Sequence, residues 1–193
     1  MKNKKWLITI LAAVIAGSIL TACAEPVAQA PEEATSATAE RPGILNAFES
    51  TDIDSNAVTQ KIFSEKKLTM VNIWATFCGP CIREMPDLKK LNDEYSDKGF
   101  QVIGIPVDLM NRNGKIDESL LQDARDIISK TGADYLHILP SKSLNQAKLN
   151  EVYSVPETIF VDRNGNQVGK SYLGSRTKKQ WAKIVDTLLE QVK

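Results

Sequence analysis

One stretch limits what this chain can become: Trp74-Ala75-Thr76-Phe77-Cys78-Gly79-Pro80-Cys81. It follows a short apolar run rich in β-branched residues, Leu68-Thr69-Met70-Val71-Asn72-Ile73, which predicts a buried strand. It precedes a helical pattern in which Cys81, Met85, Leu88, Leu91 and Tyr95 recur on one side. A Cys-x-x-Cys pair therefore stands at a strand-to-helix junction, with Cys78 near the helix N-terminus. Two thiols so spaced can close a small ring, and the free amides and dipole of a helix start favour a thiolate. Gly79 keeps the loop short, and Pro80 needs no amide proton in a first turn. The pattern is that of a reversible dithiol/disulfide switch.

Two other uses of the pair compete. A zinc half-site needs a second Cys pair or a His cluster, and the chain has one histidine, His137. His137 lies among apolar neighbours and reads as a core or edge residue. A permanently closed structural disulfide gains less in chain entropy from so tight a loop than from a long one. The third cysteine, Cys23, belongs to a different part of the chain.

Residues 1–22 read as an export signal: Lys2, Lys4 and Lys5, an apolar run from Trp6 to Leu20, then small residues. The run ends Leu20-Thr21-Ala22-Cys23, which resembles the lipobox of bacterial lipoproteins. That resemblance implies that Cys23 is acylated and becomes the mature N-terminus. An uncleaved membrane anchor and a plain secreted protein remain open, although the run is short for a span. Each version places the domain outside the cytoplasm. Residues 23–43 follow as a tether, rich in Ala, Glu, Thr and Pro and without an aromatic residue. Such a segment cannot bury enough apolar surface to offset its ordering entropy.

Residues 44–193 are one domain's worth of chain. Lys and Arg together number 24, as do Asp and Glu, so without the three signal lysines 21 basic face 24 acidic residues. That balance carries no electrostatic footprint for nucleic acid. Phe48 to Ile53 reads as an extended edge, and a short helix is expected from Asp54 or Ser55 through Phe63. After the 68–74 strand and the active-site helix, which should end near Lys98-Gly99, a second strand is expected at Phe100–Val107. Lys115 to Lys130 has an amphipathic helical stripe, with Asp117 as cap and Gly132 as stop. A short strand at Tyr135–Leu139, a brief helix capped by Ser143 and a strand at Glu157–Val161 follow. Asn164-Gly165 predicts a hairpin turn into Gln167–Leu173. Thr177-x-x-Gln180 opens the last helix as a capping box. The order predicts an α/β fold: a mixed central sheet with helices on both faces.

The octapeptide resembles the active site of thioredoxin-like proteins, down to Cys-Gly-Pro-Cys. The wider pattern resembles the TlpA/ResA branch, whose members are membrane-tethered extracytoplasmic thiol–disulfide oxidoreductases. The resemblance covers roughly residues 45–193 and implies a thioredoxin-like fold, with the helix and strand at about 115–139 as the branch's insertion. It implies Cys78 as the attacking nucleophile and Cys81 as the resolving thiol. Pro156 matches the family's cis-proline, facing the dithiol, with Val155 shaping the substrate-facing rim. Trp74 matches the tryptophan that shields the disulfide, and Phe77 reads as a rim residue used in docking; both also suit plain packing.

Glu84 lies on the helical face of Cys81, where the branch has an acid that affects cysteine proton transfer. Thioredoxin instead has an Asp on the preceding strand, at the position of Asn72. A solvated Glu84 pairing with Lys89 or Arg83 is the bland alternative. Asp108, Asn111, Arg112 and Asn113 form a polar loop open to a part in partner choice.

The function this implies is a lipid-anchored reductase of client-protein disulfides. It needs no cofactor or metal, works as a monomer and is recharged by a membrane thiol-electron donor. Positive charge near the dithiol is sparse, so the expected potential is on the order of −270 mV, not the −120 mV of strong dithiol oxidants. A dithiol oxidase or isomerase is the alternative, and a non-enzymatic metal-binding or adaptor protein the third.

Overall fold

The computed structural model describes residues 43–192. The signal segment, Cys23 and the tether up to residue 42 lie outside the described residues.

The centre is a four-stranded sheet of order β4-β3-β5-β6. Strand β3 (Leu68–Trp74) is buried along its whole length, its polar Thr69 and Asn72 included. It pairs in parallel with β4 (Phe100–Pro106) and antiparallel with β5 (Glu157–Asp162), which pairs antiparallel with β6 (Tyr172–Leu173). Alternation along β3 splits the core in two. Leu68, Met70 and Trp74 face one cluster with α1 (Gly79–Tyr95), α2 (Glu118–Thr131) and α4 (Lys178–Leu189). Val71 and Ile73 face the other, with Leu45, Phe48, Phe63 and Leu144 of α3 (Lys142–Ala147). Helices thus cover both faces of a mixed sheet, as the sequence predicts.

Caps agree with the sequence at two helices. Asp117 accepts from Ser119 and Leu120 amides at the start of α2, and Thr177 and Gln180 form the reciprocal box of α4.

Three expectations need correction, and a fourth, the hairpin, forms but with a shorter second strand. No α-helix forms over 54–63. The Asp52 carboxylate instead accepts from the amides of Asp54 and Asn56 and from Asn56 Nδ2. This tight turn reverses the chain, so β1 (Glu49–Thr51) and β2 (Ala57–Thr59) pair as a ribbon. Only Gln60–Phe63 coils, as a 3₁₀ turn capped by Thr59.

The expected hairpin at Asn164-Gly165 uses the same device. Asp162 accepts from the amides of Asn164 and Asn166 and from Asn166 Nδ2. Ser55 and Gly165 hold equivalent positions in the two turns, with φ of 70° and 76°. The pairing after the second turn is brief, and β6 is only Tyr172–Leu173.

Tyr135–Leu139 is not a strand. It meets the free edge of β4 at one residue, where Gly104 N donates to Leu136 and Ile138 N to Gly104. Pro140 then removes the next amide donor.

The α3 cap is Ser141, whose hydroxyl accepts from Leu144 N. The Ser143 hydroxyl instead ties α3 to β1, accepting from Glu49 N and donating to Glu49 O.

Candidate active site

Cys78 and Cys81 are joined by a disulfide. The junction works as the sequence suggests: β3 ends at Trp74, and the turn Ala75–Cys78 closes with Cys78 N donating to Ala75 O at 3.0 Å. Cys78 is then the N-cap of α1, and its sulfur accepts from Cys81 N at 3.3 Å. An amide at a helix start aimed at sulfur is the arrangement that stabilises a thiolate. Cys78 is 5% exposed and Cys81 fully buried. Both cysteines are buried, and Cys78 is the less completely covered of the two.

Glu84 is 4% exposed, one helical turn beyond Cys81. It pairs with neither Lys89 nor Arg83. Its Oε1 accepts from Asn72 Nδ2 at 3.1 Å, and its Oε2 from Arg176 N at 3.0 Å and Trp181 Nε1 at 3.3 Å. Burial raises its pKa, against the opposing pull of those three donors. Asn72, standing where thioredoxin has its Asp, also donates to Thr158 Oγ1 at 3.2 Å. Its Oδ1 has no hydrogen-bond partner among the described residues. An amide so placed can serve both forms of its neighbour: Nδ2 donates to the carboxylate, and a flipped Oδ1 accepts from the carboxylic acid.

Glu84 also helps to seat α4. One turn later on α1, Asp87 accepts from Lys178 N, the first amide of α4, at 3.0 Å. Two acids on one face of the active-site helix thus hold the backbone where α4 begins.

The Val155–Pro156 bond is cis, the isomer that the family resemblance implies. Pro156 is buried and its carbonyl accepts from Gly174 N at 2.9 Å. Val155 is half-buried and packs against the cluster that contains both cysteines. Trp74 is fully buried in that cluster, so shielding is open to it and direct contact with a macromolecular partner is not. Its ring meets His137 edge-on at 5.7 Å. His137 is a core residue: Nε2 lies 2.9 Å from Ala133 O, its ring stacks on Tyr135, and burial pushes its pKa down to about 4.

Phe77 is 78% exposed. The other large hydrophobic side chains that are exposed among the described residues are Tyr153, two residues before Val155, and Leu173, paired opposite Glu157. All three belong to segments that border the dithiol or the cis-proline. Sequence reasoning missed Tyr153 and Leu173, because exposure of an apolar residue in a loop has no periodicity to reveal it.

Two more features escaped the sequence. Lys148 and Glu157 form an ion pair at 2.6 Å, with side chains only 5% and 6% exposed, directly after the cis-proline. Asp108 turns inward to Thr76, two residues before Cys78.

A family model for Redoxin matches residues 30–189. The thiol-disulfide oxidoreductase ResA of Halalkalibacterium halodurans is 28% identical over 129 residues, covering 67% of this chain and 64% of that protein. The match thus spans a little under two thirds of that relative's length. ResA of Bacillus thuringiensis subsp. konkukian is 34% identical over 137 residues, 69% of each chain. Among solved structures, a thiol:disulfide interchange protein of Chlorobium tepidum superposes with a TM-score of 0.61 at 22% identity, covering 74% of this chain and 93% of that one. A DsbF homologue from Corynebacterium diphtheriae gives 0.61 at 24% identity, covering 78% and 88%. These two likenesses establish the thioredoxin-like fold. The Redoxin match takes in every residue that builds the dithiol and its surroundings, and so the chain belongs to the Redoxin family.

Proposed function

We propose that this protein is a thiol–disulfide oxidoreductase that reduces disulfides of extracytoplasmic client proteins. The observation that carries the reading is the division of labour in the pair. Cys78 caps α1 and is the less completely buried cysteine, while Cys81 is fully buried one helical turn before the buried Glu84. In the reduced protein the Cys78 thiolate attacks a client disulfide. One client sulfur leaves as a thiolate, and the other is held in a mixed disulfide. Cys81 then gives its proton to the Glu84 carboxylate and attacks Cys78 Sγ. The mixed disulfide breaks, the client departs as a dithiol, and two electrons have passed to it. A buried carboxylate with a raised pKa is suited to that proton. Val155 and the cis-Pro156 border the groove for an extended client segment, Phe77 forms its rim, and Trp74 shields the disulfide from below.

The reductive direction is supported by charge. A strong oxidant needs a heavily stabilised thiolate. Here Arg83 near the head of α1 is accompanied by Glu84, Asp87 and Asp108. The expected potential is about −270 mV, and a protein this reducing outside the cytoplasm needs electrons from a membrane thiol donor. The signal pattern and Leu20-Thr21-Ala22-Cys23 support acylation at Cys23, tethering a monomeric domain to the membrane.

The deciding experiment traps clients with Cys81→Ala, which cannot resolve the mixed disulfide, and measures the potential in glutathione buffers. Client proteins caught through Cys78 and a potential near −270 mV are expected. A value near −120 mV with efficient oxidation of an unfolded dithiol client would make the protein an oxidase. Mass spectrometry of the membrane fraction tests the anchor, and a soluble mature form beginning after Cys23 would count against it.

A further inference from the structure

The turn Ala75–Cys78 carries both the nucleophile and the exposed Phe77. What holds this turn comes from the neighbouring strand. Trp74 and Pro106 are paired partners in the parallel ladder, so the chain leaves β3 and β4 side by side. Two residues beyond each lie Thr76 and Asp108. The half-buried Asp108 carboxylate accepts from Thr76 N at 3.0 and 3.2 Å and from Thr76 Oγ1 at 2.5 Å. Hydrogen bonds to an ionised acceptor are roughly twice as strong as neutral ones, and two donors of one residue converge on this carboxylate.

We propose that Asp108 is a positioning residue for the dithiol: by anchoring Thr76 it sets where Cys78 and Phe77 stand when a client disulfide approaches. The inference deepens the oxidoreductase reading above and rests on it for the client, while the anchoring itself acts on the thiol whatever the substrate. Other charged groups lie on the elements around the turn. Arg83 on α1 lies beside Gly79, and Glu84 stands one turn beyond Cys81. Asp123, Asp126 and Lys130 on α2 line a groove of about 340 Å³ together with Thr76 and Phe77. A loss of the Asp108 charge must therefore be separated from a loss of its hydrogen bonds.

Two substitutions make that separation. Asp108→Asn and Asp108→Ala remove the charge equally, but Asn keeps a carbonyl oxygen for the Thr76 amide and Ala keeps none. The full-length reduced protein is assayed for its second-order rate with insulin disulfides and for the pH midpoint of Cys78 alkylation by iodoacetamide, beside its unfolding midpoint. In Asp108→Ala the rate is expected to fall about tenfold, the scale of a modest misplacement of a reacting group. Loss of the carboxylate charge by itself favours the thiolate and should lower the alkylation midpoint equally in both variants, so loss of placement reads as a midpoint higher in Asp108→Ala than in Asp108→Asn. Asp108→Asn should recover most of the rate. Thr76→Val, which deletes only the hydroxyl bond and keeps the charge, should lie between Ala and the parent in rate, with a midpoint above the parent's, and serves if Asp108→Ala does not fold. The proposal is overturned if Ala and Asn coincide, or if Ala changes only the unfolding midpoint. If Ala does not fold, a Thr76→Val rate and midpoint equal to the parent's overturn it. A parent inert toward insulin, with the alkylation shift intact, would remove the oxidoreductase reading and leave the role of Asp108 in placing the thiol.

Discussion

Asn72 Nδ2 and Glu84 Oε1 are 3.1 Å apart, joining the middle of β3 to the active-site helix one turn beyond Cys81. The strand position and the helix position look like alternatives for one acid in the sequence. In the fold they are one hydrogen-bonded unit, with the charge on the helix and the amide on the strand. The buried carboxylate has a raised pKa. Its contribution to stability is present below the ordinary Glu value and is lost as pH rises through the raised one. Glu84→Gln should therefore gain stability relative to the parent between pH 4 and pH 7, read by urea unfolding. The same variant should resolve a Cys78 mixed disulfide about 100-fold more slowly at neutral pH, a common scale for a lost general base. Superimposable resolution profiles would remove Glu84 from the proton transfer.

His137 predicts an opposite slope. Burial holds its pKa at about 4, below the usual 6.5. The associated stability is present above pH 6.5 and is lost as pH falls toward 4. The parent should lose roughly 2–3 kcal/mol from this group between pH 7 and pH 4.5. His137→Gln should lose correspondingly less, by urea titration at the two pH values.

The Lys148–Glu157 pair is nearly excluded from solvent. Removing one partner strands the other, so Lys148→Met should destabilise the domain by about 3–5 kcal/mol. Lys148→Met with Glu157→Leu should recover most of that loss, since two apolar residues leave no unpaired charge. Chemical denaturation of the single and double variants measures both.

The exposed apolar side chains predict a split between substrates. Phe77→Ala, Tyr153→Ala and Leu173→Ala should each slow reduction of insulin several-fold to about tenfold, the scale of lost interface anchors. Reduction of a small aromatic disulfide such as DTNB, which does not span the rim, should change less than twofold. Equal losses on both substrates would place these residues in the chemistry instead of in docking.

Local chemistry made much of this protein legible. The Cys78–Cys81 junction, the all-buried β3, the Asp117 cap and the Thr177–Gln180 box each depend on residues within a few positions of one another. Periodicity and capping act at that range. The turns at Asp52 and Asp162 both read Asp-x-x-x-Asn; the second was legible through Asn164-Gly165, while a helix signal over 54–63 masked the first. What the sequence could not settle involves partners far apart in the chain. Glu84 receives Arg176 and Trp181, Lys148 meets Glu157 across the cis-proline loop, and Asp108 reaches Thr76. A carboxylate in sequence is a solvated charge or a buried acceptor with equal ease. Only the sheet register and the packing of α1 against α4 bring its donors within reach and take the water away, and burial is what turns an ordinary acid into one with a shifted proton affinity.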